Sequence, residues 1–467
     1  MNPEDLQHAE SFRDRVSSVT EAGRRKWVYS LKPSGKYYRW RNYSTILYLL
    51  VFFGLPFIKV NGEPFILINV VKGKFIIFGN IFWPQDFFVF AVGMIALIIF
   101  IALFTVIYGR LFCGWACPQT IFMEMVFRKI EWWIEGSPNA QRARDEKAWD
   151  LDKYIRKSIK HVIFLLISSI IAHTFLSYIV GVDEVFKIIK EPIGQHMSLF
   201  SGLLVFTLLF YGVFAFVRDI ICTTVCPYGR LQSVMFDKDT MQIAYDYSRG
   251  EPRGKIVKNL LRTDGDCIDC KKCVHVCPTG IDIRDGVQME CVGCTACIDA
   301  CDEVMEKIGF RKGLIRYASE NEISGVSKFH FNNRMKAYSA LLLVLIVVMT
   351  FLVLSGKSID THVQRAQGQL YQELDAQHLS NLYVAKILNK TNADQQVEFR
   401  LENLKGEIRS IGNKNQTLKP ESVNEWEFFI VLDKNSILSR KTEIELGVYK
   451  EQKRIQKIKT NFLGPFK

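Results

Sequence analysis

The sequence predicts a helical membrane protein of five spans, with a small cysteine-rich α+β insert between the last two spans and an all-β domain behind the fifth. Three observations predict it. Five apolar runs, residues 43–60, 87–108, 161–180, 199–217 and 337–355, come close to the roughly twenty residues that cross a bilayer. Eight cysteines crowd into residues 267–301, between the fourth run and the fifth. Beyond the fifth run, short β-prone segments are separated by turn residues. Bulk composition agrees: of 467 residues 49% are hydrophobic and 13% aromatic against 23% charged, too apolar for a wholly water-soluble chain.

Residues 1–42 form a polar, basic lead-in, expected to be loosely structured near lipid headgroups, and no cleavable signal peptide is read in it. Gly54 and Pro56 interrupt the first apolar run, but no charge falls between Arg41 and Lys59, which favours a span. Lys and Arg crowd the lead-in (Arg24, Arg25, Lys26, Lys32, Lys36, Arg39, Arg41), the loop from Arg128 to Lys160 and the region between the fourth and fifth spans. The other two loops are poor in them, with Lys72 and Lys74 in one and Lys187 and Lys190 in the other. Positive charge marks the cytoplasmic side, so the N-terminus and the cysteine-rich insert are expected in the cytoplasm and residues 357–467 on the opposite face. The membrane thus accounts for the net charge of +12, and nucleic acid is not an expected partner.

Residues 43–236 read as a four-span domain. Between its first two spans, residues 63–83 hold two β-branched and aromatic runs joined at Lys72 and Gly73, the pattern of a hairpin that caps the bundle. The second span runs into Arg110-Leu-Phe-Cys113-Gly-Trp-Ala-Cys117-Pro118, and the fourth into Arg218-Asp-Ile-Ile-Cys222-Thr-Thr-Val-Cys226-Pro227. Each is C-x3-C-P directly after a span that returns to the same side, so two span pairs form an internal repeat. A residue before proline is pushed out of the α region, which predicts extended backbone at Cys117 and Cys226, with Pro118 and Pro227 opening helices over 119–135 and 228–236. A thiol near a helix N-terminus, with Arg110 or Arg230 nearby, is expected to have its thiolate favoured. Buried cysteines are often only small hydrophobes, but repetition at one position after two spans argues for function. Four such thiols suit copper as Cu(I), another soft metal, or a further iron–sulfur centre.

Residues 237–336 form the insert. Two copies of C-x2-C-x2-C-x3-C lie in it, at Cys267, Cys270, Cys273 and Cys277 and at Cys291, Cys294, Cys297 and Cys301. This is the spacing of a two-cluster ferredoxin, in which the fourth cysteine of each run crosses to the other cluster. It assigns Cys267, Cys270, Cys273 and Cys301 to one [4Fe-4S] cluster and Cys291, Cys294, Cys297 and Cys277 to a second. Zinc favours separated cysteine pairs, and so tight a run is badly placed for disulfides. Pro278 follows the first run, whereas Asp302 stands where the second would have proline.

His161 and His173 fall within the third span, where an ionisable residue is a functional candidate, although a hydrogen-bonded bundle role suits His173 better. No C-x2-C-H is present, so covalent haem is not expected. His275 and His330 lie near the clusters in sequence and are candidates for tuning them, and Trp132 with Trp133 reads as an interfacial anchor. After the fifth helix, residues 337–356, the stretch 361–373 is polar and reads as helical. Strands are expected over 382–388, 396–401, 407–411, 425–432, 442–449 and 454–462, with turns at 389–394 and 412–416, which together suggest a β-sandwich. That domain holds no cysteine and reads as a docking domain.

The run from Gly265 to Tyr317, containing CPTGIDIRDG, ECVGCTACIDACDEVM and KGLIRY, together with the two C-x3-C-P motifs, resembles the CcoG family of cytochrome c oxidase accessory proteins, also called FixG or RdxA. The resemblance covers nearly the whole chain. It implies a bacterial inner-membrane protein with a cytoplasmic ferredoxin segment and an immunoglobulin-like periplasmic domain. It further implies assembly of a copper-containing cbb3-type oxidase by reduction of Cu(II) to Cu(I), with oxidase assembly proteins or copper transporters as partners. On this resemblance the eight clustered cysteines ligate clusters, and Cys113, Cys117, Cys222 and Cys226 are the copper or redox site. The other readings are a membrane electron conduit similar to the NapH and NosR proteins and a scaffold whose clusters are structural.

Overall fold

Where an apolar run meets no proline it becomes one unbroken helix, and among the described residues four helices are long and apolar enough to cross a bilayer: Phe88–Tyr108, Leu151–Val180, Met197–Val217 and Asn333–Leu354. The computed structural model describes residues 27–465 apart from 61, 71–72, 84–86, 257–263, 356–358, 367, 369, 392, 412–416, 421, 438 and 451. Arg24, Arg25 and Lys26 of the lead-in, Lys72 of the hairpin tip and the expected turn at 412–416 lie outside these residues. The chain divides into two units, 1–79 with 86–349 and 80–85 with 350–467.

In the first unit, the apolar run expected over 43–60 folds differently. The helix is Lys36–Gly54, followed by one 3-10 turn, Leu55–Phe57, and by Lys59–Val60 paired with Glu63–Pro64. Pro56 has no N–H to continue the helix. At the other end the helix gains turns from an acceptor elsewhere in the chain. Gly35 has no side chain to cap it, and Asp299 does so instead, with Oδ1 accepting from the Tyr37 N–H at 3.1 Å and Oδ2 from the Tyr38 N–H at 2.7 Å. The lead-in is tied down from Trp27 on: the Arg218 guanidinium lies 4.4 Å over the Trp27 ring, and the Leu31 N–H donates to the His275 carbonyl at 2.8 Å.

The third helix starts ten residues before the apolar run, at Leu151, because Asp150 caps it through Oδ1 and the Lys153 N–H at 2.8 Å. The expected hairpin forms between Ile66–Asn69 and Lys74–Ile77, and Leu67 and Ile76 are buried. Aromatic rings fill the space between the helices: Phe127 stacks on Phe214 at 4.6 Å and meets Phe164 edge-on at 4.8 Å. The cysteine-rich segment belongs to the same unit and contains little regular structure, chiefly the helix Ala296–Lys307 and the antiparallel pair Gln242–Tyr245 with Ile315–Ala318.

The second unit is all-β. One sheet runs in the order Gly406–Ser410, Val423–Asp433, His378–Asn389, Ile359–Arg365, with Gln372–Glu373 also pairing on His378–Asn389; the other runs Glu398–Leu401, Lys441–Lys450, Lys453–Leu463. Their apolar residues, among them Tyr383, Ile387, Phe428, Ile444 and Phe462, form one core. The expected helix over 361–373 is replaced by the strand Ile359–Arg365. Ile359, Thr361 and Val363 are buried in alternation with their neighbours, so a period of two overrides a polar composition. The strand expected over 396–401 is split: Gln395–Gln396 pairs with Thr417–Leu418, and Glu398–Leu401 joins the three-stranded sheet.

Candidate functional site

The two C-x3-C-P motifs repeat one conformational sequence. Gly109, at φ +55°, ends the second long helix, and Cys113 lies in the short helix Leu111–Trp115. In the second motif Arg218, at φ +52°, makes the break, and Cys222 lies in the π-helical turn Ile221–Val225. Cys117 (φ −66°, ψ 125°) and Cys226 (φ −68°, ψ 113°) are extended, and Pro118 and Pro227 open the next helices.

These turns bring the four thiols within electrostatic reach of one another. Cys113 feels Cys117 and Cys226, and Cys222 feels Cys117, Cys113 and Cys226. Burial pushes the Cys113 thiol up to about 11 and that of Cys222 up to about 12, and Arg110 offsets the first only in part. Among the described residues, no three or more His, Cys, Asp or Glu are gathered closely enough to hold a single metal ion. Two fully buried side chains complete the surroundings. Gln232 Oε1 accepts from Cys113 Sγ at 3.5 Å, and Thr120 lies beside Cys222.

The eight clustered cysteines surround two neighbouring cavities. Cys267, Cys270, Cys273 and Cys301 line one of about 340 Å³, together with Tyr245, Met305 and Leu314. Cys277, Cys291, Cys294 and Cys297, together with Cys273, line another of about 330 Å³ walled by Ile243, Ile281 and Val292. Each loop turns at equivalent positions through left-handed residues, Asp269 and Lys271 in the first and Gly293 and Thr295 in the second. Thiols in apolar cavities fit an iron–sulfur cube, whose positive iron offsets the desolvation that raises Cys273, Cys294 and Cys301 to about 12. Asp302 leaves the helix Ala296–Lys307 unbroken where a proline would disturb it, and its Oδ1 accepts from the Gly313 N–H at 2.8 Å.

The second cavity and the thiol site touch through backbone. A Cβ on Gly114 would lie 2.4 Å from the Gly293 carbonyl oxygen, so only glycine allows this approach. Arg110 braces it, donating to the carbonyls of Cys291 at 3.1 Å and Gly229 at 2.9 Å and to that of Met289. Arg41 Nε donates to the Gly114 carbonyl at 2.9 Å. Sequence reasoning counted Arg41 only as positive charge and placed Arg110 only beside a thiol; their buried, carbonyl-directed roles show no periodic signal. It also missed Arg284, which is buried and pairs with Asp282 and Asp269 at 2.6 and 2.5 Å.

Of the histidines, His161 Nδ1 meets the Tyr211 hydroxyl at 2.9 Å and His173 Nδ1 the Ser169 carbonyl of its own helix at 2.7 Å. His275 gives its carbonyl to Leu31, and the His330 ring lies 3.8 Å from Asp239. Trp132 donates to the Ser30 carbonyl at 3.3 Å, while Trp133 is exposed. Lys160 of the basic loop is not solvated but reaches Glu131 and Glu135 at 3.4 and 3.1 Å, and Arg218 pairs with Glu131 at 2.9 Å, all of them buried.

Comparison with known proteins agrees with this layout. Family models match at 217–320 (4Fe-4S dicluster domain), at 90–136 (4Fe-4S binding domain) and at 349–465 (IG-like fold at the C-terminus of FixG). The nitrogen fixation protein FixG of Rhizobium meliloti is 33% identical over 308 residues, a match spanning 63% of this chain and 58% of that protein. Protein RdxB of Cereibacter sphaeroides is 33% identical over 383 residues, 79% of this chain and 80% of that one. A more distant relative is the ferredoxin-type protein NapH of Escherichia coli, 23% identical over 223 residues, 45% of this chain and 66% of that one. With iron–sulfur domains around both cysteine regions and a FixG-type C-terminal domain, the chain is an iron–sulfur electron-transfer protein and belongs to the FixG/RdxA family.

Proposed function

We propose that the cysteine-rich segment takes up electrons and hands them, through the site of Cys113, Cys117, Cys222 and Cys226, to Cu(II), which leaves as Cu(I) for assembly of a cbb3-type oxidase. The observation that carries this reading is the backbone contact of Gly114 with Gly293, which sets the Cys291–Cys294 loop directly against the first thiol motif. Two [4Fe-4S] clusters, one on Cys267, Cys270, Cys273 and Cys301 and one on Cys277, Cys291, Cys294 and Cys297, supply single electrons when bound. The chain's own residues exclude water from the path and fix its length: Arg110 and Arg41 hold the contact, and Gln232 orients Cys113. Each electron converts one Cu(II) to Cu(I), and soft sulfur at the delivery point favours the product. In this reading the chain spans a bacterial inner membrane five times, the first time with the helix Lys36–Gly54, with its clusters in the cytoplasm and residues 357–467 in the periplasm.

The test is anaerobic mixing of reduced protein with Cu(II) and a Cu(I)-specific chelator. The parent is expected to reduce copper, and Cys113→Ser, Cys117→Ser, Cys222→Ser and Cys226→Ser to lose the reaction while the signals of both ferredoxin-type clusters persist. Reduction at the parent rate by all four variants would overturn the assignment. The likeness to NapH favours one other reading, a conduit between quinone or a cytoplasmic donor and a periplasmic partner. Oxidation by a quinone analogue with no copper reduction would select it.

A further inference from the structure

Charge is distributed unevenly around the two cysteine cavities. Beside Cys267, Cys270, Cys273 and Cys301 the cations are matched by carboxylates. Buried Arg284 pairs with Asp282 at 2.6 Å and Asp269 at 2.5 Å, Arg249 with Asp266 at 2.6 Å, and Lys272 with Glu303 at 2.7 Å. Asp302, beside Cys301, adds negative charge, and Lys271 is exposed, where water screens it. Beside Cys291 and Cys294 stand Arg41 and Arg110, both buried, and among the described residues neither forms an ion pair. Their N–H groups go instead to the carbonyls of Gly114, Cys291, Gly229 and Met289. We propose that Arg41 and Arg110 raise the reduction potential of the cluster on Cys277, Cys291, Cys294 and Cys297 above that of the cluster on Cys267, Cys270, Cys273 and Cys301, and so direct electrons towards the Cys113–Cys117 motif.

Reduction adds one negative charge to a cluster, so a cation held close in a dry site favours the reduced form, while a cation already paired with a carboxylate does little. Arg41 Nη2 and Arg110 Nε have no hydrogen-bond partner among the described residues, so neither charge is spent locally. The thiols register the difference. Burial raises Cys294 to about 12 and Arg41 opposes it; burial raises Cys291 too, where Arg110 opposes it and Glu290 counters Arg110 only weakly. At Cys273, likewise raised to about 12 by burial, Asp282 works against Arg284, and at Cys301 Asp302 adds to the burial. The layout then runs downhill. Cys270 of the first set is exposed, where a donor can reach it, and the Cys291–Cys294 loop of the second lies against Gly114. One electron passes from the first cluster, which is oxidised, to the second, which is reduced, with no bond formed or broken.

The inference rests on the chain holding these two clusters and not on copper being the acceptor. The test is a redox titration of the full chain, purified anaerobically in detergent and followed by paramagnetic resonance, with Cys270→Ser marking the signal of the first cluster. The cluster on Cys291 and its partners is expected to be reduced first. Arg41→Gln and Arg110→Gln, which keep an amide donor, should retain the iron. Each should shift that cluster's reduction equilibrium about tenfold towards the oxidised form, which is about 59 mV for one electron. Arg41→Lys, which keeps the charge, should stay near the parent. Asp269→Asn leaves Arg41 and Arg110 in place and frees Arg284 of one carboxylate, so it should raise the potential of the other cluster and narrow the gap. First reduction of the cluster on Cys267 in the parent, or an unmoved potential in iron-loaded glutamine variants, would overturn the proposal. So would an equal fall in Arg41→Lys, which would assign the effect to the hydrogen bond and not to the charge. Should the glutamine variants lose iron, Asp269→Asn decides, and an unchanged potential there overturns the proposal. A parent without iron would instead end the cluster reading, whereas the expected gradient without copper reduction would end only the copper reading.

Discussion

Gly114 and Gly293 meet backbone to backbone: a Cβ on the first would fall 2.4 Å from the carbonyl oxygen of the second, and a Cβ on the second 2.5 Å from the Arg110 carbonyl oxygen. The first glycine lies in the Cys113–Cys117 motif and the second in the Cys291–Cys294 loop, and neither can yield by rotating a side chain.

Alanine at Gly114 should therefore push the thiol motif away from the Cys291–Cys294 loop. The expected outcome is full iron content with copper reduction slowed severalfold, read in the anaerobic chelator assay. Alanine at Gly293 adds the strain of a left-handed residue, φ +66°, and should also destabilise the unit by at least about 1–2 kcal/mol, visible as a lower thermal midpoint.

Cys301→Ser should damage the cluster bounded by Cys267, Cys270 and Cys273 and spare the one bounded by Cys291, Cys294 and Cys297, although it is nearer the latter in sequence. The cavities place it with the former. Paramagnetic resonance of the reduced variant decides, and loss of the other signal would refute the crossed arrangement.

Glu131 gives a pH dependence. Burial raises its carboxyl, but Arg218, with Lys160 and Arg128, overcomes this and holds it at about 2 against an ordinary 4.5. A carboxyl depressed on folding contributes fully above the ordinary value, so this stability is present above about pH 4.5 and is lost as pH falls towards 2. Glu131→Gln should flatten that acid limb of a thermal-melting series. At neutral pH it should cost about 3–5 kcal/mol, because Arg218 is left buried without its partner charge.

A reporter fused after Lys467 should be active only on the periplasmic side. Activity only in the cytoplasm would remove one span, and the helix Lys36–Gly54, with Arg39 and Arg41 inside it, would be the one to drop.

How much of this was legible follows from range. Cysteine spacing is a local constraint, and it was read correctly as iron–sulfur. The extended Cys117 and Cys226 follow from the proline beside each, and the later strands, apart from the split one at 396–401, from their β-prone composition. Ile359–Arg365 was hidden because its inward positions include Thr361, so composition masked its period. The helix Lys36–Gly54 was misplaced by several residues at each end, at its start because its cap is Asp299, far away in sequence, and at its finish because Pro56 stops it. The rise of the Cys113 and Cys222 thiols was missed because burial by other segments decides it. What sequence reading lost was consistently the contribution of a partner brought in by the fold.

The Asp299 cap also sets an order of completion. The ribosome makes Tyr37 and Tyr38 some 260 residues before the carboxylate that accepts their N–H groups. During most of synthesis the first turn of this early helix has no side-chain cap, and it closes only when the helix Ala296–Lys307 that carries Asp299 has been made and folded. This early helix is thus finished late, and trypsin should cut at Lys36 or Arg39 faster in chains whose helix Ala296–Lys307 has been disrupted than in the intact protein.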